Sequence, residues 1–158
     1  MSKERRFPIT IERIDDNEAL RALYDEVAPC DMRYFGVHRE TLQAWVAKAI
    51  RTDSSYVYVV RGPEGVLIGL STGSVHTDDY GRRVAEIGIR VLAPATQGYG
   101  ISSEVLATEK AYLASQGVSL IQVTASTKAG HGFLTSHGFS PQGRWRNRDV
   151  EMTLGVDA

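Results

Sequence analysis

The segment APATQGYGIS, residues 93–102, places two glycines and a serine between a proline and a stretch with helical periodicity. The preceding run RRVAEIGIRVL (82–92) is rich in β-branched residues and ends before Pro94. The first turn of a helix offers unpaired N–H groups and a positive dipole end, and glycine lets an anion approach the backbone. The segment therefore predicts a strand-to-helix turn that could hold a phosphate group.

Two widespread glycine loops do not fit this segment. A phosphate loop of the nucleotide hydrolases has the pattern GxxxxGK[ST], and no lysine follows Gly100. The dinucleotide fingerprint GxGxxG opens the first strand–helix unit of its fold, whereas this segment follows several strands and carries only Gly98-x-Gly100. Taken alone, the glycines leave two interpretations open, an anion site and a tight packing turn.

Hydrophobic periodicity along the rest of the chain alternates between strand and helix. Residues 7–14 alternate as a half-buried strand, and Asp15 or Asp16 is placed to cap the following helix, which ends at Pro29. The further elements that we predict are a helix over 40–50, strands over 55–77 around the turn GPEG, a strand over 82–92, a helix over 98–116 ended by Gly117, a strand over 118–126, a short helix over 128–138 and a final pair of strands ending at 148–156. The order β-α-α-β-β-β-α-β-α-β-β predicts one α/β domain over residues 1–158 with a mixed sheet.

The overall composition bounds the function. With 158 residues, 42% of them apolar and 23% charged, the chain is expected to fold alone around one core. Its formal net charge of −1 removes the electrostatic basis for nucleic-acid binding, and no run of about 18 apolar residues predicts a membrane helix. The single cysteine, Cys30, excludes an intramolecular disulfide and the cysteine-rich metal patterns, so we expect no metal site and a cytoplasmic location.

The loop has a closer counterpart in a known family. Residues 97–102, QGYGIS, resemble the acetyl-CoA loop of the GNAT superfamily of N-acetyltransferases, Gln/Arg-x-x-Gly-x-Gly/Ala, except that Ser102 replaces the last small residue. RVLAP before the loop is similar to the family's hydrophobic-x-Pro segment, and FLTSHGFSPQG (133–143) resembles its FYxxxGFxxxG element. With the order of elements, the resemblance covers roughly residues 7–155.

The resemblance implies a GNAT fold, in which a mixed sheet of six to seven strands has splayed parallel strands four and five and about four flanking helices. Acetyl-CoA would lie in the V between those strands. By position, the backbone of Arg90, Val91 and Leu92 would pair with pantetheine, and Thr127, at the family's asparagine position, would keep one hydrogen bond to the cofactor. The N–H groups that would hold the pyrophosphate belong to Gln97, Gly98, Tyr99, Gly100, Ile101 and Ser102.

The resemblance also implies which residue is the general base. Glu86 lies in VAEIGI, similar to the strand-four AEI of the histone-acetyltransferase branch, whose glutamate is the base. In a regular strand, Glu86, Gly88 and Arg90 share one face. The alternative interpretation is that Glu86 is paired with Arg90 or Arg83 on an exposed face. A backbone N–H near Val91 or Leu92 would stabilise the oxyanion.

Some positions depart from the family pattern. Leu134 stands where a tyrosine often protonates the leaving thiolate, and Gln122 occupies a second common base position. His131 and His137 flank Leu134 and are alternative proton donors, although a capping or surface role is equally open to them. His76 has a similar place among the alternatives, facing the acceptor or lying in a solvated loop.

The acceptor pocket of this fold is formed largely by two segments, here residues 29–38 and 140–149. Tyr34, Phe35 and Trp145 would wall a small apolar slot or belong to the core, and Asp31 would attract an ammonium group. The basic cluster GRWRNR (143–148) is either a solvated hairpin or strand edge, or a contact for an anionic substrate or cofactor phosphate.

The function that we predict is acetyl transfer from acetyl-CoA to a primary amine of a small molecule or amino acid derivative, by direct attack in a ternary complex. Two alternatives stay open, a protein N-terminal or lysine acetyltransferase and a degenerate CoA-binding sensor or scaffold. The predicted partner is a small-molecule amine, with no nucleic acid and no membrane, and a homodimer is left open.

Overall fold

The computed structural model describes residues 7–27, 39–51, 54–125, 128–146 and 149–156. These residues form seven strands and four α-helices, with short 3-10 turns after the second and fourth strands. In chain order the elements are β1 (Thr10–Ile14), α1 (Asn17–Val27), α2 (Arg39–Arg51), β2 (Ser55–Arg61), β3 (Leu67–Thr77), β4 (Arg83–Leu92), α3 (Ile101–Ser115), β5 (Leu120–Ala125), α4 (Lys128–Ser136), β6 (Ser140–Arg146) and β7 (Asp149–Gly155). The predicted order of elements and the mixed α/β class are confirmed.

All seven strands belong to one sheet, in the order β1-β2-β3-β4-β5-β7-β6. Neighbouring strands are antiparallel except β4 and β5, which run parallel because α3 carries the chain back across the sheet between them. β6 forms one edge, so residues 143–146 of the basic cluster lie in an edge strand, while residues 147 and 148 lie outside the described ranges.

The two parallel strands separate partway along their length. They pair at four positions, from Val84 opposite Leu120 to Ile87 opposite Val123, and then part. β4 nevertheless continues to Leu92 along β3, and β5 continues to Ala125 along β7. The predicted splay of the fourth and fifth strands is confirmed.

A β-bulge interrupts β4 just after the last residues that pair with β5. Ser74 of β3 pairs with Glu86 and Ser71 pairs with Arg90, so two residues of β3 face three residues of β4. An extra residue shifts the alternation of a strand by one position. The regular alternation assumed for Glu86, Gly88 and Arg90 therefore does not run past Gly88.

The helices cover both faces of the sheet. Ser55 lies in a cleft beside α2, whereas its neighbour Tyr56 contacts Glu109 of α3, and successive strand residues point to opposite faces. α1 packs against α2 and buries Leu20, Leu23 and Val27 at helical spacing. The sheet is thus the middle layer, with α1 and α2 on one face and α3 on the other.

The ends of the helices follow local hydrogen bonding. Asp16 is the cap of α1, because its Oδ1 accepts the N–H of Ala19 at 2.9 Å, while Asp15 forms an ion pair with Arg13. Gly117 ends α3 in a left-handed conformation, and the N–H of the next residue donates to the carbonyl of Leu113. The predicted cap at Gly117 is confirmed. None of the described helices is long and apolar enough to cross a membrane.

Candidate active site

A cleft of about 440 Å³ opens where β4 and β5 separate. Its walls come from α2 and from strands β2, β3, β4, β5 and β7, so residues distant in the sequence meet there. The polar side chains that line it include Lys48, Ser55, Ser74, Glu86, Gln122 and Glu151. The α2 side of the sheet thus carries a polar cleft at the point where the strands part.

Strand register brings Glu86 to the floor of this cleft. Ser74 lies opposite Glu86 on β3, and Gln122 lies opposite it on β5, one position before the parallel pairing ends. Cross-strand partners place their side chains on the same face, so these residues form a polar row. The Glu86 side chain is exposed to solvent and is the carboxylate of that row.

The expectation that Glu86 pairs with Arg83 does not hold. Nε of Arg83 donates instead to the backbone oxygen of Gln116 at 2.8 Å, which ties β4 to the end of α3. The structure describes the backbone of Arg90 but not its side chain. Among the described side chains, the carboxylate of Glu86 therefore faces the cleft without an ion pair to Arg83.

Glu151 is a second carboxylate in the cleft, and it is not among the site residues predicted from the sequence. It lies on β7 opposite Thr124, two residues along β5 from Gln122. The side chain is exposed and lines the same cleft as Glu86. Strand alternation along β7 indicates which face Glu151 lies on. That pattern places Glu151 in the cleft only when β7 is known to lie beside β5.

Glycine permits close packing beside the bulge. A Cβ on Gly88 would lie 2.6 Å from Oγ1 of Thr72, which is closer than real contacts allow. Both residues line the cleft. A side chain at position 88 would therefore displace Thr72 and alter the width of the cleft where the strands part.

The loop before α3 presents backbone donors. Gly98 and Gly100 have φ values of 87° and 76°, in the left-handed region that glycine adopts without strain, and Gly100 caps α3 with no side-chain hydrogen bond. Within the described residues, no backbone hydrogen bond uses the N–H groups of Gly98, Gly100, Ile101 or Ser102. The start of α3 thus offers backbone N–H groups of the kind that bind phosphate.

Gln97 does not offer its N–H to a pyrophosphate, although this was predicted from the sequence. Its N–H donates to the backbone oxygen of Pro94 at 3.2 Å, and its Nε2 donates to the backbone oxygen of Leu92, also at 3.2 Å. Its backbone donor is therefore already used inside the turn. Gln97 holds the loop against the end of β4, and Tyr99 is held by an edge-on contact with Phe7, with ring centroids 5.4 Å apart.

The histidine alternatives lie away from the cleft lining. His76, His131 and His137 are not among the described residues that line it. Nε2 of His137 is 3.1 Å from Oγ of Ser103, so this ring contacts the first turn of α3. Leu134 is buried in the core at 4% exposure. The proposed role of His131 or His137 as a proton donor therefore stays a prediction.

Several predicted site residues lie beyond what the structure describes. Asp31, Tyr34, Phe35 and Thr127 fall outside the described ranges. Trp145 lies in β6, but its side chain is not described. The apolar slot for the acceptor and the Thr127 contact therefore stay predictions.

Comparison with known proteins agrees with this geometry. The family model of the acetyltransferase (GNAT) family matches residues 17–139. Comparison with curated protein sequences gives no significant match.

Solved structures share the fold over nearly the whole chain. A Desulfovibrio desulfuricans protein assigned to the GNAT family of acetyltransferases has a TM-score of 0.71 at 15% identity, over 95% of this chain and 100% of its own. PaiA N-acetyltransferase from Thermoplasma acidophilum, solved with coenzyme A, has a TM-score of 0.65 at 16% identity, over 92% and 99%. Spermidine/spermine N-acetyltransferase SpeG from Vibrio cholerae has a TM-score of 0.61 at 17% identity, over 94% and 95%.

The parallel strands that part around a cleft, and the glycine loop at the start of α3, are the architecture of an acetyltransferase of this family. The chain belongs to the GNAT family of acetyltransferases. It is an acyltransferase, and acetyl-CoA is its cosubstrate.

Proposed function

We propose that this protein transfers the acetyl group of acetyl-CoA to a primary amine of a small molecule or amino acid derivative, by direct attack in a ternary complex. The observation that carries the proposal is the position of Glu86. Its carboxylate lies on the floor of the cleft, one residue before β4 and β5 stop pairing, and is open to solvent. A base at this point faces an acceptor that enters the cleft beside the thioester.

Glu86 would act as the general base. An alkyl ammonium has a pKa of about 10.4, so a proton must leave before the amine attacks the thioester carbonyl. The carboxylate of Glu86 takes that proton directly or through one water, and the neighbouring Ser74 and Gln122 can hold such a water by hydrogen bonds. The amide of Gln122 orients groups but does not itself accept the proton.

The cofactor would lie along the separated edge of β4. Beyond the bulge, the backbone of Arg90, Val91 and Leu92 pairs with β3 alone among the described strands, so the other side can pair with the amides of pantetheine. A backbone N–H near Val91 or Leu92 would donate to the oxyanion of the tetrahedral intermediate. Thr127 would add one hydrogen bond to the cofactor.

The diphosphate would bind at the start of α3. The donors are the N–H groups of Gly98, Tyr99, Gly100, Ile101 and Ser102, at the positive end of the helix dipole. Gln97 supports the loop through its side chain, and its N–H donates to Pro94 instead of to the diphosphate. The departing thiolate has a pKa of about 8.5, so water can protonate it where Leu134 cannot.

The cleft favours an acceptor that arrives as a cation. Two carboxylates, Glu86 and Glu151, line it from β4 and β7, against the one ammonium of Lys48 on α2, so the charged side chains named in its lining sum to a negative charge. Fields from like charges in a cleft raise the local concentration of an oppositely charged substrate. The similarity to SpeG, whose name specifies polyamine acceptors, supports an amine as the acceptor class. Asp31, Tyr34 and Trp145 would complete the pocket.

The decisive experiment is a thiol-release assay with acetyl-CoA and a panel of small amines, amino acid derivatives and peptides. Glu86→Gln should abolish turnover while CoA binding, measured by calorimetry, is kept. The matched control is Glu18→Gln, which neutralises an exposed carboxylate on α1 outside the cleft and should leave turnover unchanged. Unchanged turnover in Glu86→Gln would refute its role as the base.

A CoA-binding sensor or scaffold is the second candidate, favoured by the buried Leu134 and by Gln122 at positions where relatives carry reactive groups. CoA binding without turnover of any amine or peptide would support it. Turnover of peptides alone would indicate a protein N-terminal or lysine acetyltransferase. We further propose that residues 1–158 form one domain that acts in the cytoplasm, with a homodimer as the alternative to a monomer.

A further inference from the structure

The ring of His137 connects the end of α4 to the first turn of α3. Its Nδ1 is 2.8 Å from the backbone oxygen of Phe133 and 3.1 Å from Oγ of Ser136. Its Nε2 is 3.1 Å from Oγ of Ser103. The ring also packs on Phe133, with ring centroids 4.4 Å apart. Both ring nitrogens and one face of His137 are therefore engaged.

These partners determine which nitrogen carries the hydrogen. A carbonyl oxygen only accepts, so Nδ1 donates to the oxygen of Phe133. The hydroxyl of Ser136 donates to the same carbonyl at 2.7 Å, so its oxygen can also accept from Nδ1. A neutral imidazole with its hydrogen on Nδ1 has an acceptor at Nε2. In that tautomer the hydroxyl of Ser103 donates to Nε2 of His137.

This bond controls a hydroxyl at the start of α3. Ser103 is the third residue of α3, and the cap residue, Gly100, has no side chain that could accept from the helix. A serine hydroxyl near a helix start can otherwise hydrogen-bond to nearby backbone groups. The bond to His137 uses the hydroxyl hydrogen of Ser103, and the first-turn N–H groups of Gly100, Ile101 and Ser102, which donate to no described backbone oxygen, are left to an external anion. The bond also fixes this turn against α4.

We propose that His137 is a positioning residue for acyl-CoA, which acts through Ser103 to hold the first turn of α3 in the orientation that receives the diphosphate. The proposal rests on the proposed place of the diphosphate at this loop. If the proposal is right, His137 strengthens the binding only of acyl donors that carry a diphosphate. A thioester without one, S-acetylpantetheine, gains nothing from the contact.

The first test replaces the acceptor nitrogen but keeps an aromatic ring. His137→Phe can still pack on Phe133 but cannot accept from Ser103. We expect CoA binding, measured by calorimetry, to weaken about 3- to 10-fold, the usual effect of one neutral hydrogen bond. KM for acetyl-CoA should rise with kcat unchanged, and KM for S-acetylpantetheine should not move. Thr135→Ala, an exposed hydroxyl on the same helix, is the matched control.

A mutant cycle separates this role from general packing. Ser103→Ala should weaken CoA binding as His137→Phe does, and the double variant should bind no more weakly than either single one, because all three lack the same contact. His137→Gln, whose side-chain oxygen can accept from Ser103, should recover most of the affinity. Thermal unfolding shows whether each variant is folded. If His137→Phe does not fold, the binding measurements on Ser103→Ala and His137→Gln still test the proposal.

Additive losses in the double variant, an equal loss with S-acetylpantetheine, or unchanged CoA affinity in Ser103→Ala would each overturn the proposal. The binding measurements need no acceptor amine. A protein that shows the expected binding pattern but no turnover would therefore refute the proposed acetyl transfer and leave the role of His137 intact.

Discussion

The hydroxyl of Tyr56 on β2 donates a hydrogen bond of 2.6 Å to the carboxylate of Glu109 in α3, and both side chains are buried. Gly73 makes this possible, because a Cβ there would overlap the Tyr56 hydroxyl. Gly73 stands between Thr72 and Ser74, which line the cleft on the other face. The wall of the cleft is thereby joined to the helix whose first turn is proposed to bind the diphosphate.

Removal of this hydroxyl should destabilise the fold. Burial, reinforced by the negative charge of Glu109, raises the pKa of Tyr56 above its usual range, so the phenol stays protonated and donates. Tyr56→Phe takes a donor from a buried carboxyl group and should lower the free energy of unfolding by about 1–3 kcal/mol. Urea denaturation measures this change in the free energy of unfolding. Tyr80→Phe, at a side chain that is 86% exposed, is the control and should change nothing.

Alanine substitution of the glycine that caps α3 can separate the effect of backbone strain on stability from the effect on CoA binding. Gly100 and Gly117 have φ values of 76° and 75°, so alanine at either position should cost about 1–2 kcal/mol of stability. Only Gly100→Ala should also weaken CoA binding, because its methyl group would stand where the diphosphate approaches. Equal CoA affinities in the two variants, measured by calorimetry, would contradict the proposed diphosphate site.

The ion pair between Arg61 and Glu26 should make stability depend on pH. Arg61 donates to both carboxylate oxygens, at 2.6 and 2.8 Å, and these bonds lower the pKa of Glu26. A lowered folded-state pKa contributes stability above the unfolded value of about 4.3, and that contribution is lost as the pH falls through the folded value.

Glu26→Gln should therefore cost about 0.5–1 kcal/mol at pH 7, a small amount because both groups are partly exposed and screened by solvent. The difference between variant and parent should shrink as the pH falls below the unfolded pKa and through the lower folded one. Urea denaturation across this pH range checks the prediction, and a difference that persists at low pH would show that the loss arises from packing instead of charge.

The second carboxylate of the cleft should affect acceptor binding more than chemistry. Glu151→Gln removes one negative charge beside β5 but leaves Glu86 in place. We expect KM for a cationic amine to rise about 3- to 10-fold, with kcat within about 2-fold, since about 1 kcal/mol of attraction is lost. Steady-state kinetics with a saturating thioester donor give both values. A fall in kcat at constant KM would instead assign the proton transfer to Glu151.

Local pattern was sufficient for much of the fold. Periodicity and turn residues predict the order of all the described elements, and the proline and glycines around residues 93–102 place the strand-to-helix turn correctly. The position of Glu86 in the cleft could be predicted for a similar reason, because strand alternation and a family motif coincide at this residue. The cap of α1 needed only the choice between Asp15 and Asp16.

What the sequence did not disclose depends on contacts between distant segments. The bulge in β4 adds one residue to a run of β-branched residues without disturbing its composition. Glu151 reaches the cleft only because β7 inserts between β5 and β6. The bond between His137 and Ser103 requires two helices to meet across 34 positions of the chain. Each of these features is set by packing between distant segments, and alternation along β7, the one local signal among them, does not show which strand lies beside it.

The parting of β4 from β5 gives the sheet an additional edge in its interior. Past Ile87 and Val123, the facing sides of the two strands have no partner among the described strands, so backbone donors and acceptors border a cleft open to solvent. Exposed strand edges are the sites at which chains join other chains. A bound acyl-CoA would cover this edge, and occupancy by the cosubstrate would protect the protein against self-association as well as supply the acetyl group.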